Sequence, residues 1–438
     1  MSKKVFLEGI NSPDSRMMEF LRQLSALPRM IIGEGLDETF ALLKEGCPEL
    51  TIHEYPSGME CDDWIMPESW KALEGSLETE EGVIVASLEE SYLFAAPFSE
   101  PVDDWVTKSE LVEHTCTRKD VPRAYALEHR VAYDYQFVDW RISVPYERLV
   151  NLTETDMYHV RLEVEKKPGS MKVGEFFRQG ASDKTIVFCA HIDELCNDDL
   201  SGCAVAYELI RRIKDMKKPR YSYQVLFVPE MFGTLFYVKN NLERVKNTVC
   251  MVNLETLGAG EELILKKAKN ENTIYERAMR RVLKDAGVKF SEASFFEVYG
   301  NDERVYAWPT IGVPGFGLQR YPFRQYHTSD DTPEIIDENY LLEGLRIIHS
   351  FMEVVENNAV PEFTKLLPPW LTKHNLYHDC QIEVGKFQKL NNYLLYNVNG
   401  VNSLLDLSEI ADLRFDEIRD YLASLADKGF VRYLGVAR

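Results

Sequence analysis

Two hydrophobic periodicities alternate along the chain. Between residues 14 and 47, SRMMEFLRQLSALPRM and DETFALLKEG repeat apolar positions every three to four residues, which predicts helices. From about 50 to 150 the runs shorten. GVIVASL and YLFAAPF read as β-like segments, punctuated by Pro, Gly, Asp and Asn, and this stretch is expected to form a smaller β-rich module. After residue 156 the pattern changes again. HVRLEVEKK alternates as a half-buried strand does, whereas KTIVFCAH, YQVLFVPE and NTVCMVNLE are unbroken apolar runs suited to strands buried on both faces. CAVAYELIRRIKDM and TIYERAMRRVLKDAG are helical in pattern. TIGVPGFGL is a further apolar run, and ENYLLEGLRIIHSFMEVVEN reads as a closing helix. The alternation predicts an α/β fold: a mixed, mainly parallel sheet sandwiched by helices.

Beyond the linker-like PEFTKLLPPWLTKHN, three short helical patterns lead into VRYLG, the outline of a winged helix. The expected division is therefore an α/β domain over 1–51 and 154–365, an inserted β-rich domain over 52–153, and a winged-helix domain over 376–438.

Composition narrows the partners. A chain of 438 residues fits two or three domains. Its net charge of −21 repels nucleic acid and anionic lipid. From residue 376 onward nine acidic residues face seven basic ones, which argues against DNA binding by the C-terminal helices. No apolar run approaches the roughly 18 residues needed to span a membrane, and the first fifteen residues lack the apolar core of a signal peptide. The eight cysteines show no CxxC pairing, as expected of buried thiols in a reducing compartment. The expectation is a cytoplasmic protein with no nucleic-acid or membrane partner. A second copy of the chain is a candidate partner.

The chemistry gathers at strand ends. KTIVFCA ends on His191, YQVLFVP on Glu230 and NTVCMVNL on Glu255, and His327 follows TIGVPGFGL in the segment YHTSDDT. In a parallel α/β sheet, ligands bind beyond the carboxyl ends of the strands, so these side chains are expected on one rim. The loop HIDELCNDDLSG adds Asp193, Asp198 and Asp199. That density of carboxylate calls for a divalent cation, and imidazole with carboxylate suits zinc. Each piece alone has a plainer reading: a hydrogen-bonded histidine, a turn, or a helix cap at Asp199 or Ser201.

The order His191-x-Asp193, Asn197-Asp198-x-x-Ser201-Gly202, Glu230-x-x-Gly233, Asn253-Leu254-Glu255 and Tyr326-His327-Thr328 resembles the zinc aminopeptidases of the bacterial leucyl aminopeptidase type. EYPSGMECDDWIMPESW, NDERVYAWP and YHTSDDTPE resemble, more closely, a bacterial group with an inserted β-rich module and a C-terminal winged helix. The resemblance implies a zinc-dependent, aminopeptidase-like hydrolase of amide bonds with a small peptide or peptide-like substrate. His191, Asp198 and Glu255 would hold one metal, with Asp193 orienting His191, Asp198 bridging, and His327 on a second metal. Glu230 would act as general base toward water. One departure stands out: Met231 occupies a position where the family usually has a metal-ligating Glu. One tight zinc is therefore expected, with a second weak or absent, and Glu194, Cys196, Asp330 and Asp331 are the candidates for the gap. Asp302 and Arg304 are expected either at the cleft or in a buried ion pair. Tyr326 is expected either as an oxyanion donor or packed beside His327. The inserted module would serve as a lid or as an oligomer contact. The alternative function is a binding or regulatory module on an old peptidase scaffold.

Overall fold

The computed structural model describes residues 12–128, 139–298 and 300–436. The chain divides into two compact units, one running to Lys266 and including Ala293–Gly344, the other comprising Lys267–Glu292 and Leu345–Arg438.

The first unit is built on a mixed sheet. Its strands run in the order Thr51–Pro56, Ser170–Arg178, Ser222–Val228, Thr185–His191, Thr248–Glu255, Gly315–Tyr321 and Glu262–Lys266. The four consecutive strands from Ser222–Val228 to Gly315–Tyr321 are parallel, and the flanking pairings are antiparallel. Every residue of Thr185–His191 and Ser222–Val228 is buried, which is why both read as continuous apolar runs rather than as alternation. Helix Leu200–Asp215 crosses between the first two parallel strands. It is capped by Asp199, whose side chain accepts the Gly202 N–H at 3.0 Å. Gly202 is required there, because a Cβ would sit 2.3 Å from the carbonyl oxygen of Leu254. Ser201 is not the cap; its hydroxyl donates back to the carbonyl of Asn197.

The same unit carries a four-stranded antiparallel sheet in the order Ile84–Ser87, Ser69–Thr79, Met157–Lys167, Val102–Thr107. Two expected boundaries shift as a result. Met157–Lys167, whose alternation marks one buried face, belongs to this inserted sheet and not to the central one. Thr51–Pro56 instead pairs with Ser170–Arg178 at the edge of the central sheet. YLFAAPF is not a strand either: Ser91 accepts the Leu93 N–H and starts a short 3-10 turn over Tyr92–Phe94 that buries Leu93 and Phe94.

In the second unit, helix Ile274–Asp285 packs with helices Leu404–Ala411 and Phe415–Asp427. Arg277 reaches Asp406 at 2.6 Å. A capping box joins Ser403 and Asp406. Strand Val431–Val436 pairs antiparallel with Ala359–Phe363. This unit therefore draws in 267–292 and begins well before the expected residue 376, because those earlier segments supply its apolar and ionic contacts. Among the described residues no helix is long and apolar enough to cross a membrane.

Candidate metal centre

Strands Thr185–His191 and Thr248–Glu255 deliver His191 and Glu255 to the carboxyl rim of the sheet. The loop between His191 and its helix adds Asp198, and these three present ligand atoms within 4.8 Å of one another. A second set, Glu194, Asp198 and His327, meets the same limit. Asp198 belongs to both and divides its carboxylate between them: Oδ1 lies 3.3 Å from His191 Nε2, and Oδ2 lies 2.8 Å from His327 Nε2. The sequence-derived ligands His191, Asp198, Glu255 and His327 are thus brought together. Of the four candidates for the gap left by Met231, Glu194 is the one that joins them. Asp330 is exposed. Asp331 is committed to the backbone, accepting the N–H groups of Asn197 at 2.6 Å and Asp198 at 3.1 Å. Cys196 is buried, and burial pushes its thiol pKa up.

The loop is locked from several sides. Asn197 Oδ1 accepts the N–H groups of Gly258 and Ala259 at 3.0 and 2.8 Å. Asp199 accepts the Thr256 N–H at 2.8 Å, and the buried Cys203 thiol donates to the His191 carbonyl at 3.1 Å. Asp193 Oδ1 lies 3.4 Å from His191 Nδ1 and accepts the backbone N–H of Glu230 at 2.9 Å. Asp302 is fully buried and accepts the Met231 N–H at 3.0 Å, so it supports the turn that carries Glu230. Arg304 is exposed, with its guanidinium lying over Gly300, and no ion pair joins it to Asp302 among the described residues. The Tyr326 ring stacks on His327, with centroids 3.6 Å apart and planes at 22°.

The electrostatics fit a cation. Burial pushes Glu255 up to about 8 and drives Glu194 well above the ordinary carboxylate range, with the negative charge of Asp198 adding to both. Burial also opposes the charge on Asp198, but the close imidazoles of His191 and His327 outweigh it and hold its pKa down. Burial likewise works against protonated His191, yet Asp193 and Asp198 raise it on balance. Asp198 Oδ2 is buried without a hydrogen bond of acceptable geometry. Imidazole and carboxylate atoms packed this closely are the donor set that zinc takes.

An apolar cavity of about 340 Å³ opens beside this centre. Met30, Trp70, Leu93 and Phe98 line it, and Asp193 and Glu194 close one end. Its walls come from the inserted sheet, the module offered from sequence as a lid or an oligomer contact, and from the segment between the first two helices, which the sequence pattern did not connect with the site.

The fold is shared with solved structures that are described as peptidases. The chain belongs to the family described as Domain of unknown function (DUF4910), whose model matches residues 18–358. A Clostridium acetobutylicum protein, provisionally named a polysaccharide biosynthesis protein with an aminopeptidase-like domain, is 26% identical over 427 residues, covering 94% of this chain and 95% of that one. A crystal structure of a provisionally named peptidase from the same organism superposes with a TM-score of 0.84 at 24% identity, covering 96% of each chain. The zinc aminopeptidase of Bacillus subtilis superposes with a TM-score of 0.59 at 14% identity, over 77% of this chain and 94% of that one.

Proposed function

We propose that this chain is a zinc-dependent hydrolase of amide bonds, acting in the manner of an aminopeptidase on a small peptide or peptide-like substrate. The observation that carries the reading is the division of the Asp198 carboxylate between two imidazoles, with Glu230 suspended beside them from Asp193. His191, Asp198 and Glu255 form the tighter position, since all three are buried. His327 is about a fifth exposed, which makes the position it shares the weaker one.

Bound zinc would supply Lewis acidity and lower the pKa of water at the site to about 7. Glu230 takes the proton from that water as it adds to the amide carbon, and returns it to the amine nitrogen as the C–N bond breaks. Asp193 fixes both the His191 ring and the Glu230 backbone, so the two groups keep their relative position through the step. The apolar cavity beside the centre receives an apolar side chain of the substrate.

On this reading the protein works in the cytoplasm without a nucleic-acid or membrane partner, consistent with its charge of −21. The C-terminal helices and their strand, read as a winged helix, serve packing or self-association. The deciding experiment compares wild type with Glu230→Gln by elemental analysis and by hydrolysis of an aminoacyl-amide panel. Equal zinc with turnover lowered by about 10²–10⁴-fold is expected. Zinc in both proteins without turnover in either would favour a binding module built on this scaffold.

A further inference from the structure

The second unit carries a face that the catalytic reading does not use. Twelve of the 23 large apolar residues exposed among the described residues lie between Leu366 and Leu434, within this unit. Single exposed apolar residues are ordinary, whereas a cluster on one face marks a contact.

The centre of the face is the strand pair Ala359–Phe363 and Val431–Val436. Pro361 and Val431 are buried. Glu362 and Arg432, opposite one another in the ladder, stay at the surface and form an ion pair at 2.6 Å. A Cβ on Gly400 would lie 3.3 Å from Glu362 Oε1 and 3.4 Å from Leu434 Cδ1, so the turn at Gly400 borders the same face. Asn402 Nδ2 donates to the Asn397 carbonyl at 3.0 Å and closes that turn. Tyr396 precedes it and Val401 lies within it, 85% and 76% exposed. At the other end of the strand pair the Thr364 N–H donates to the Phe430 carbonyl at 2.9 Å. The segment that leaves Thr364 holds Leu366, Leu367 and Trp370, each at least 70% exposed.

The charge of this face selects its occupant. Residues 359–375, 396–403 and 429–436 contain one carboxylate, Glu362, and three cations, Lys365, Lys373 and Arg432, in a chain of net charge −21. Two copies meeting across an acidic surface would repel; across this one they do not. A two-fold contact sets the same patch on both sides. An acid and a base lying side by side are self-complementary in that geometry, because Glu362 of each copy faces Arg432 of the other. We propose that this face joins two copies of the chain in a two-fold dimer, with Glu362 and Arg432 paired across the axis and the exposed apolar residues packed around them. The proposal goes beyond the hydrolase reading and does not depend on it.

Analytical ultracentrifugation of the full-length protein over a dilution series is the test. Wild type should sediment as a dimer that dissociates on dilution. Arg432→Glu sets acids against acids and Glu362→Arg sets bases against bases, and each should weaken dimerisation by about tenfold or more. An equimolar mixture of the two variants opposes acids to bases again and should recover a dimer. Val401→Ser keeps both charges and changes a side chain that is 76% exposed, so it tests the apolar part without loading the fold; it should weaken the dimer too. A wild-type protein that is monomeric at every concentration would overturn the proposal and leave the face to a different kind of partner. Variants that all associate as wild type does would also overturn it. So would a mixture that stays monomeric although circular dichroism shows both components folded.

Discussion

The side chain of Asp193 accepts the backbone N–H of Glu230 at 2.9 Å while lying 3.4 Å from His191 Nδ1. One carboxylate thus stands beside both the imidazole proposed to hold metal and the backbone of the proposed base. Asp193→Ala should lose both functions together. The expected result is a fall of about 10–100-fold in kcat/KM, with reduced zinc content by elemental analysis. Asp193→Asn keeps an acceptor for the Glu230 N–H but presents a weaker partner to His191, and should fall between wild type and alanine. Turnover unchanged in Asp193→Ala would remove the link between the two groups.

The pH dependence follows from the buried carboxyls. Burial raises Glu255, Asp302 and Asp331 each to about 8, against about 4 in an unfolded chain. The folded protein therefore holds more protons than the unfolded one across that window. The stability this provides is fully present below about pH 4 and is lost as pH rises through about 8. Chelated protein should lose stability to urea from about pH 5 to about pH 8. Zinc needs Glu255 deprotonated, so the rise in Tm on adding zinc should be larger at about pH 8 than at about pH 6. A metal-free protein that gains stability over the same range would contradict the burial of these groups.

The central sheet was legible because its strands are long, apolar and buried on both faces, and strand ends are where such a sheet places its chemistry. His191, Glu230 and Glu255 could be placed on that basis alone. Glu194 was only one of four candidates, since its part depends on a loop turned by Arg29, 165 residues earlier in the chain. Met157–Lys167 was assigned to the wrong sheet because alternation reports one buried face without saying what covers it. The Leu127 N–H meets the His327 carbonyl, and the Arg118 guanidinium the Tyr326 carbonyl, some 200 residues away, and a backbone acceptor leaves no side-chain signature to read.

The apolar cavity should set substrate preference. Met30 is half-buried in its wall, and Met30→Trp would fill much of the 340 Å³ without touching a ligand. Cleavage after large apolar residues should fall relative to cleavage after alanine by about 10–200-fold, the range a hydrophobic pocket discriminates. Uniform loss across the substrate panel would show that the cavity lies off the substrate path.

Lys266 and Glu303 form an ion pair in which each side chain is 1% exposed. Lys266 also sits 5.5 Å above the Phe295 ring, and Glu303 accepts the Asn301 N–H at 3.1 Å. The pair stands directly behind Asp302, whose side chain holds Met231 and with it the turn bearing Glu230. Lys266→Met would leave a buried carboxylate without its counter-charge, a loss that costs about 3–5 kcal/mol. Thermal melts should show a marked fall in Tm for that variant. The double variant Lys266→Met with Glu303→Gln removes both charges and should recover much of the difference, because the penalty belongs to the isolated charge and not to the absent pair. If the double variant is no more stable than the single, the pair serves to shape the Asn301–Asp302 turn rather than to neutralise charge, and turnover should fall in both.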